Sequence, residues 1–404
     1  MNSNESINDP IVIVAMARTP IGGFMGDLSP VTATTLGSIA IKAAVERAGV
    51  KAEEIEEVIM GCVLPAGLGQ APARQASIGA GIPKSAGCTT INKVCGSGMK
   101  SIMLAHDLIL AGSNRVMVAG GMESMSNAPH LLPNARAGYR FGHGRVLDHM
   151  AFDGLEDAYE GEAMGVYAET CATKYDFSRT AQDEFAITSL KRAQKAIEEG
   201  AFNDEIVAVE FSKRGREVCV DTDEQPLKAK LDKIPLLRPA FKKDGTVTAA
   251  NASSISDGAA AIVLMRQSEA KSRGLRALAR IVAHASHSQE PNEFTLAPIS
   301  AIKSLLQKSE WTKDSVDLFE INEAFAVVAM AAMVELELDH GRVNVHGGAC
   351  ALGHPIGCSG TRIVVTLIAA LQRLGKTRGV ASLCIGGGEA TAMAIELVTN
   401  NDTY

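Results

Sequence analysis

The chain has 404 residues, 46% hydrophobic side chains and a formal net charge of -7. That length is too great for one simple core and suits two or three domains, or two fused halves; the mild acidity argues against a nucleic-acid binder. Aromatics make up 4% while glycine numbers 38, which points to tight turns and close backbone approach.

In chain order, IVIVAM at 11–16 reads as a buried strand, a helix is expected over roughly 33–49, and EEVIMGCV supplies a second strand. TTINKV is expected as a third strand ending at Cys95, GMKSIMLAHDLILAG as a helix apolar on most faces and therefore buried, and NRVMVAGG as the next strand. Alternating strands and helices argue for an α/β layer architecture. Residues 126–250 differ. Their loop-like stretches are basic, and SRTAQDEFAITSLKRAQKAIEEG is a helix that Ser178 or Thr180 can cap and Gly200 can end. We read this segment as an inserted loop domain whose positive charge suits either a phosphate-bearing ligand or plain solvation.

The later part repeats the opening plan. RIVAHAS answers IVIVAMA, VDLFEIN answers IEEVIMG, GCSGTRIVVTLIAAL answers CGSGMKSIMLAHDL, and GVASLCIGGGEA answers RVMVAGGMES. The offsets all lie at about 260–270 residues, as in an internal duplication. The expected division is a first half at 1–125, completed by 251–276, the insert at 126–250, and a second half at 277–404.

Eight cysteines without a CxxC spacing fit neither a disulfide scaffold nor a zinc knuckle. The opening MNSNESINDP lacks the pattern of a signal peptide, no apolar run marks a membrane span, and NDTY is no recognised address, so a cytoplasmic protein is expected.

Cys95 sits in NKVCGSGMK, between a strand and a helix. It reads either as a packing thiol or as a nucleophile whose pKa is lowered by unpaired N–H groups and the helix dipole. His354, between Gly353 and Pro355, reads as a base or oxyanion donor, or as a turn histidine. Cys384 ends a strand before three glycines whose N–H groups can hold an oxyanion. Alone it reads as a core thiol, but the duplication places its turn near the end of the Cys95 strand. Asn322, in FEINEAFA, is a helix N-cap or the holder of a water.

NKVCGSGMKSI, GGMESMSNAPH, GTVTAANASSISDGAAA, INEAFA, GGACALGHPIGCSGTR and CIGGG, in this order across the whole chain, resemble the thiolase family, in its biosynthetic acetyl-CoA C-acetyltransferase branch. The resemblance implies a five-layer αβαβα fold built from two duplicated halves, and reversible Claisen condensation of two acetyl-CoA to acetoacetyl-CoA and free CoA. It implies that Cys95 carries the acyl group, His354 activates it, Cys384 handles the proton of the second acetyl group, and Asn322 fixes a water in one oxyanion hole. The N–H groups of Cys95 and Gly386 would form the other. Ser253, Met164, Lys228, Phe325 and Ala249 would contact the coenzyme A thioester, with the insert holding its phosphates. No tightly bound cofactor, metal, nucleic acid or membrane is implied, and a homodimer or homotetramer is, with the loop around Leu131 to Asp148 joining dimers. The chain departs from the family pattern at Ala163, Leu227, Phe294, His346 and Glu389, which bears on chain length and coenzyme contacts. A degradative 3-ketoacyl-CoA thiolase for longer chains is the alternative.

Overall fold

A computed structural model describes residues 9–398. The opening residues 1–8 and the terminal NDTY, both used above in the reading of localisation, lie outside the described residues. The chain begins with β1 (Ile11–Arg18), α1 (Ala33–Ala48), β2 (Glu57–Gly61), α2 (Pro72–Gly79), β3 (Gly87–Ile91), α3 (Ser97–Leu110) and β4 (Val116–Ser124). Residues 126–250 carry α4 (Met164–Lys174) and α5 (Arg179–Glu198), after which β5 (Ser256–Arg266) returns to the first sheet. There follow β6 (Ala279–Ser288), α6 (Ala297–Ser309), β7 (Leu318–Ile321), α7 (Ala326–Leu336), α8 (Ser359–Arg373), β8 (Arg378–Ile385) and β9 (Glu389–Leu397).

The strands lie in the order β7-β8-β9-β6-β1-β5-β4-β2-β3. β5 runs antiparallel to both of its neighbours, β1 and β4, and β4, β2 and β3 are parallel; β9, antiparallel to both β6 and β8, repeats the antiparallel run and β8–β7 the parallel step. Val343 bridges Phe319 in parallel where β3 pairs with β2 in the first half. The duplication read from the sequence is therefore a duplication of topology. The halves meet through two backbone pairs, Val12 with Arg280 and Ile13 with Ala279.

Alternation along the strands builds five layers. Val12 and Val14 of β1 face a core with α1 and α2, while Ile11 and Ile13 face a second core holding α3 and α8. β8 and β9 divide in the same way, with Ala381, Leu383 and Met393 inward and Val380, Cys384 and Ala392 toward α6 and α7. Successive strand side chains point to opposite faces, so a strand covered on both sides reads as one apolar run. The two inner helices approach through glycine: a Cβ on Gly360 would lie 2.3 Å from the Met99 nitrogen. This closeness sets the N-termini of α3 and α8 side by side.

Residues 126–250 are tied to the first sheet by charge. Arg18, fully buried at the end of β1, pairs with Glu205 at 2.7 Å and Asp223 at 2.8 Å. Ser178 caps α5, its Oγ accepting the Ala181 N–H at 3.1 Å. Two expectations change. β3 ends at Ile91, not at Cys95, because residues 92–94 form a turn of their own. Asn322 is no N-cap: α7 starts at Ala326 after Phe325.

Candidate active site

Cys95 stands on a strained elbow. Val94 adopts φ +46°, a left-handed conformation that β-branched residues strongly resist. Three contacts impose it: Asn92 Oδ1 accepts the Val94 N–H at 2.8 Å, Ser97 Oγ donates to the Val94 carbonyl at 2.7 Å, and the same Oγ accepts the Lys93 N–H at 2.8 Å. Strain persists only where surroundings over-determine it. The other half comes close next door: a Cβ at Gly96 would sit 2.4 Å from Ile385 Cδ1.

The Cys95 thiol faces the backbone N–H groups of Gly386 and of Cys95 itself. Burial nevertheless dominates and pushes it up to about 11, with Glu123 adding to the rise against the two N–H groups. The direction expected from the helix start is thus reversed, because the half-buried sulfur at the junction of the two halves loses more hydration than the dipole returns. Cys384 is buried at the end of β8, and burial followed by the charge of Cys95 raises its thiol well above 9.0. The two thiols therefore sense each other across the junction of the halves. Met164 and Val94 flank Gly386: a Cβ there would lie 3.5 Å from the Met164 sulfur and 3.6 Å from Val94 Cγ1.

His354 is held by both halves. Its N–H donates to the Ser254 carbonyl at 3.1 Å and lies 3.2 Å from Ser256 Oγ, and its Nδ1 is 2.5 Å from Ser359 Oγ. Ser359 Oγ donates to the Pro355 carbonyl at 3.1 Å, so it accepts from Nδ1–H and leaves a lone pair on Nε2. That Nε2 is buried without a protein partner among the described residues. Burial, then the nearby Arg362 guanidinium, lowers the imidazole to about 3 and keeps it neutral at physiological pH. Asn322 is 1% exposed, and both Oδ1 and Nδ2 lack a protein partner among the described residues. A buried amide in that state is suited to hold a polar ligand or water.

Sequence reasoning gave Glu123 no role. It is fully buried at the end of β4 and accepts N–H groups from Val63 at 3.0 Å, Leu64 at 3.1 Å and Gly357 at 2.9 Å. It thereby ties the turn after His354 to the first half; burial pushes its carboxyl up to about 7. The signal was an acid at the end of an otherwise uncharged buried strand. Glu323 acts likewise on the second half, accepting from Asn344 Nδ2 at 2.8 Å and Ser189 Oγ at 2.7 Å.

The remaining sequence-named residues separate. Ser253 donates its N–H to the Ala324 carbonyl at 2.9 Å, beside Phe325. Phe325 stacks edge-on with Phe241 and with Phe294, which also meets Tyr167. Ala249 lines a groove of about 220 Å³ with Lys230, Lys233, Ser254 and Cys350. Lys228 instead pairs with Glu224 and with Asp27 at 3.5 Å, in a different pocket that Leu227 also lines. His346 packs its ring on Phe202 at 5.9 Å.

The family model "Thiolase, N-terminal domain" matches residues 11–268, and "Thiolase, C-terminal domain" matches residues 275–397. The chain belongs to the thiolase family. It is 50% identical over 388 residues to an acetyl-CoA acetyltransferase of Cupriavidus necator, covering 96% of this chain and 99% of the relative. Among solved structures, the acetyl-CoA acetyltransferase of Bacillus anthracis superposes with a TM-score of 0.94 at 43% identity, covering 96% of this thiolase and 99% of that chain. The Acat5 thiolase of Ascaris suum, solved in complex with coenzyme A, does so with a TM-score of 0.92 at 46% identity, covering 96% and 100%. No helix among the described residues of this thiolase is long and apolar enough to cross a membrane.

Proposed function

We propose that this thiolase is an acetyl-CoA C-acetyltransferase that joins two acetyl-CoA into acetoacetyl-CoA and free CoA, reversibly, through an acyl group on Cys95. The observations that carry the reading are the meeting of the Cys95 thiol with the Gly386 N–H and, on His354, a neutral imidazole whose buried Nε2 has no protein partner among the described residues.

A thiol at about 11 is protonated at neutral pH, so it needs a base when it attacks. His354 Nε2 takes the proton as the sulfur bonds to the thioester carbon, and the resulting imidazolium is a donor to oxyanions. Charge building on the carbonyl oxygen falls to the N–H groups of Cys95 and Gly386, preorganised donors that need no reorganisation as the reaction proceeds. CoA leaves as its thiol. In the second half-reaction Cys384 removes a proton from the methyl carbon of another acetyl-CoA. The enolate oxygen is held by His354 and a water on Asn322, and the carbon attacks acyl-Cys95.

The Lys230 and Lys233 side of the Ala249 groove fits the anionic end of coenzyme A, a role taken there in place of Lys228. Ser253 and Phe325 would border the pantetheine arm. Phe294, buried between Tyr167 and Phe325, fills space near Met164 and favours a short acyl group over the longer chains of a degradative thiolase. The arm around 131–148 exposes Leu132, Tyr139, Phe141 and Val146, which suits a homodimer or homotetramer. Eight unpaired cysteines suit the reducing cytoplasm.

The test is chain-length profiling of thiolysis. Acetoacetyl-CoA should be cleaved with the higher kcat/KM; a marked preference for 3-ketooctanoyl-CoA would overturn the assignment.

A further inference from the structure

We propose that His106, Asp107 and His284 form a binding site for a divalent transition-metal ion of the zinc class, separate from the reaction centre. The first two lie on α3 and the third on β6, so the ligands come from both halves of the chain. His106 Nδ1 and His284 Nε2 each stand 2.9 Å from the same Asp107 oxygen, Oδ1. The imidazole rings meet edge to face with centroids 5.1 Å apart, and the three donor atoms all lie within 4.8 Å of one another.

Three features point to a metal. Neighbouring helix residues diverge by about 100° around the axis and seldom reach one point; His106 and Asp107 do so here, with a third donor arriving from another element. The donor set is two imidazole nitrogens and one carboxylate oxygen, which suits zinc at bonds of about 2.0–2.2 Å and is too poor in oxygen for calcium or magnesium. Such bonds set tetrahedral donors roughly 3.3 Å apart, so small side-chain adjustments convert the present spacing into coordination. The imidazole side chains are mostly buried at 14% and 18% exposure, while Asp107 is half exposed and leaves a coordination position open to water. Lys308 Nζ donates to the His284 carbonyl at 3.3 Å and holds the strand rather than occupying the donor cluster.

Catalysis is not the expected role. His106 lies nine residues along α3 from Ser97, about 14 Å of helix rise from the end that presents Cys95. An ion there joins α3 to β6 and stabilises the folded chain by mass action.

The test is a zinc titration of the full-length, metal-free protein against a chromophoric chelator, with cobalt spectra to report ligand type. Wild type should bind one equivalent, melt at a higher temperature with zinc, and give a cobalt spectrum free of thiolate charge transfer. His284→Ala and Asp107→Asn should each weaken this binding by about 100-fold and abolish the zinc-dependent melting shift, with metal-free thiolase activity unchanged. Cys95→Ala should bind zinc as wild type does. Absence of binding by wild type, unchanged affinity in both ligand variants, or a thiolate cobalt spectrum would overturn the site. Because Asp107 is exposed, its variant keeps the test decisive even where His284→Ala folds poorly.

Discussion

Lys93 and Glu389 form an ion pair that joins the turn before Cys95 to the strand that follows the Cys384 turn. Ser288 Oγ supports the same carboxylate at 3.0 Å. The pair links the two loops that bring the Gly386 N–H to the Cys95 sulfur, and it uses one of the positions where this chain departs from the thiolase pattern. An ion pair this exposed contributes modestly, about 1 kcal/mol or less. Glu389→Gln should lower kcat about threefold with little change in KM, more strongly at low salt than at high salt. The Lys93→Glu, Glu389→Lys exchange should recover most of the loss. Equal kcat in wild type and Glu389→Gln at every ionic strength would show the pair to be incidental.

The two thiols should separate by role. Cys95→Ser should yield no acyl-enzyme with acetyl-CoA by intact-mass measurement. Cys384→Ala should still accept an acetyl group on Cys95 yet form no acetoacetyl-CoA. Normal condensation by the Cys384 variant would place the proton transfer elsewhere.

Alkylation gives the pH dependence. The Cys95 thiol lies near 11 and His354 near 3, so neither ionises around neutrality and no standing thiolate–imidazolium pair forms. The thiolate fraction then rises about tenfold per pH unit. Inactivation by iodoacetamide should climb steadily from pH 6 to 9, as roughly estimated from that ionisation. A plateau beginning below pH 7 would mean that the helix start, not burial, controls the sulfur.

Glu123 should act on both stability and rate. Its carboxyl, at about 7, lies above the ordinary unfolded value near 4.3. A raised folded pKa contributes stability that is present at low pH and lost as pH rises through that value. The melting temperature of wild type relative to Glu123→Gln should therefore decline from about pH 4 to about pH 7, the window between those pKa values, and level off above it. The variant should also lose about tenfold in kcat, since an amide cannot accept three backbone N–H groups at its two former carboxylate positions. A flat stability difference would show that Glu123 titrates as an ordinary carboxylate.

Much of this was legible in one dimension. The turn that carries Cys95, the Gly353–Pro355 frame of His354 and the glycines after Cys384 are local patterns, and the repeated order of blocks carries the duplicated topology without any knowledge of contacts. Strands buried on both faces appear as unbroken apolar runs, which fits an α/β layer architecture, while the five layers follow from the family resemblance. Other properties depend on groups far apart in sequence. The pKa of Cys95 is set by enclosure between halves, and the freedom of Asn322 by where β7 ends and α7 begins. Lys228 follows from the resemblance, as the neighbour of Leu227, but its ion pairs with Glu224 and Asp27 are visible only in three dimensions.

The amino-acid order by itself determined which chemical groups this thiolase has and the local turns that present them, because backbone preference acts over a few residues. Only the tertiary structure decided their protonation and partners, since desolvation and charge act through space: they join Glu123 to Gly357 and bring His106 to His284 across separations no local pattern records.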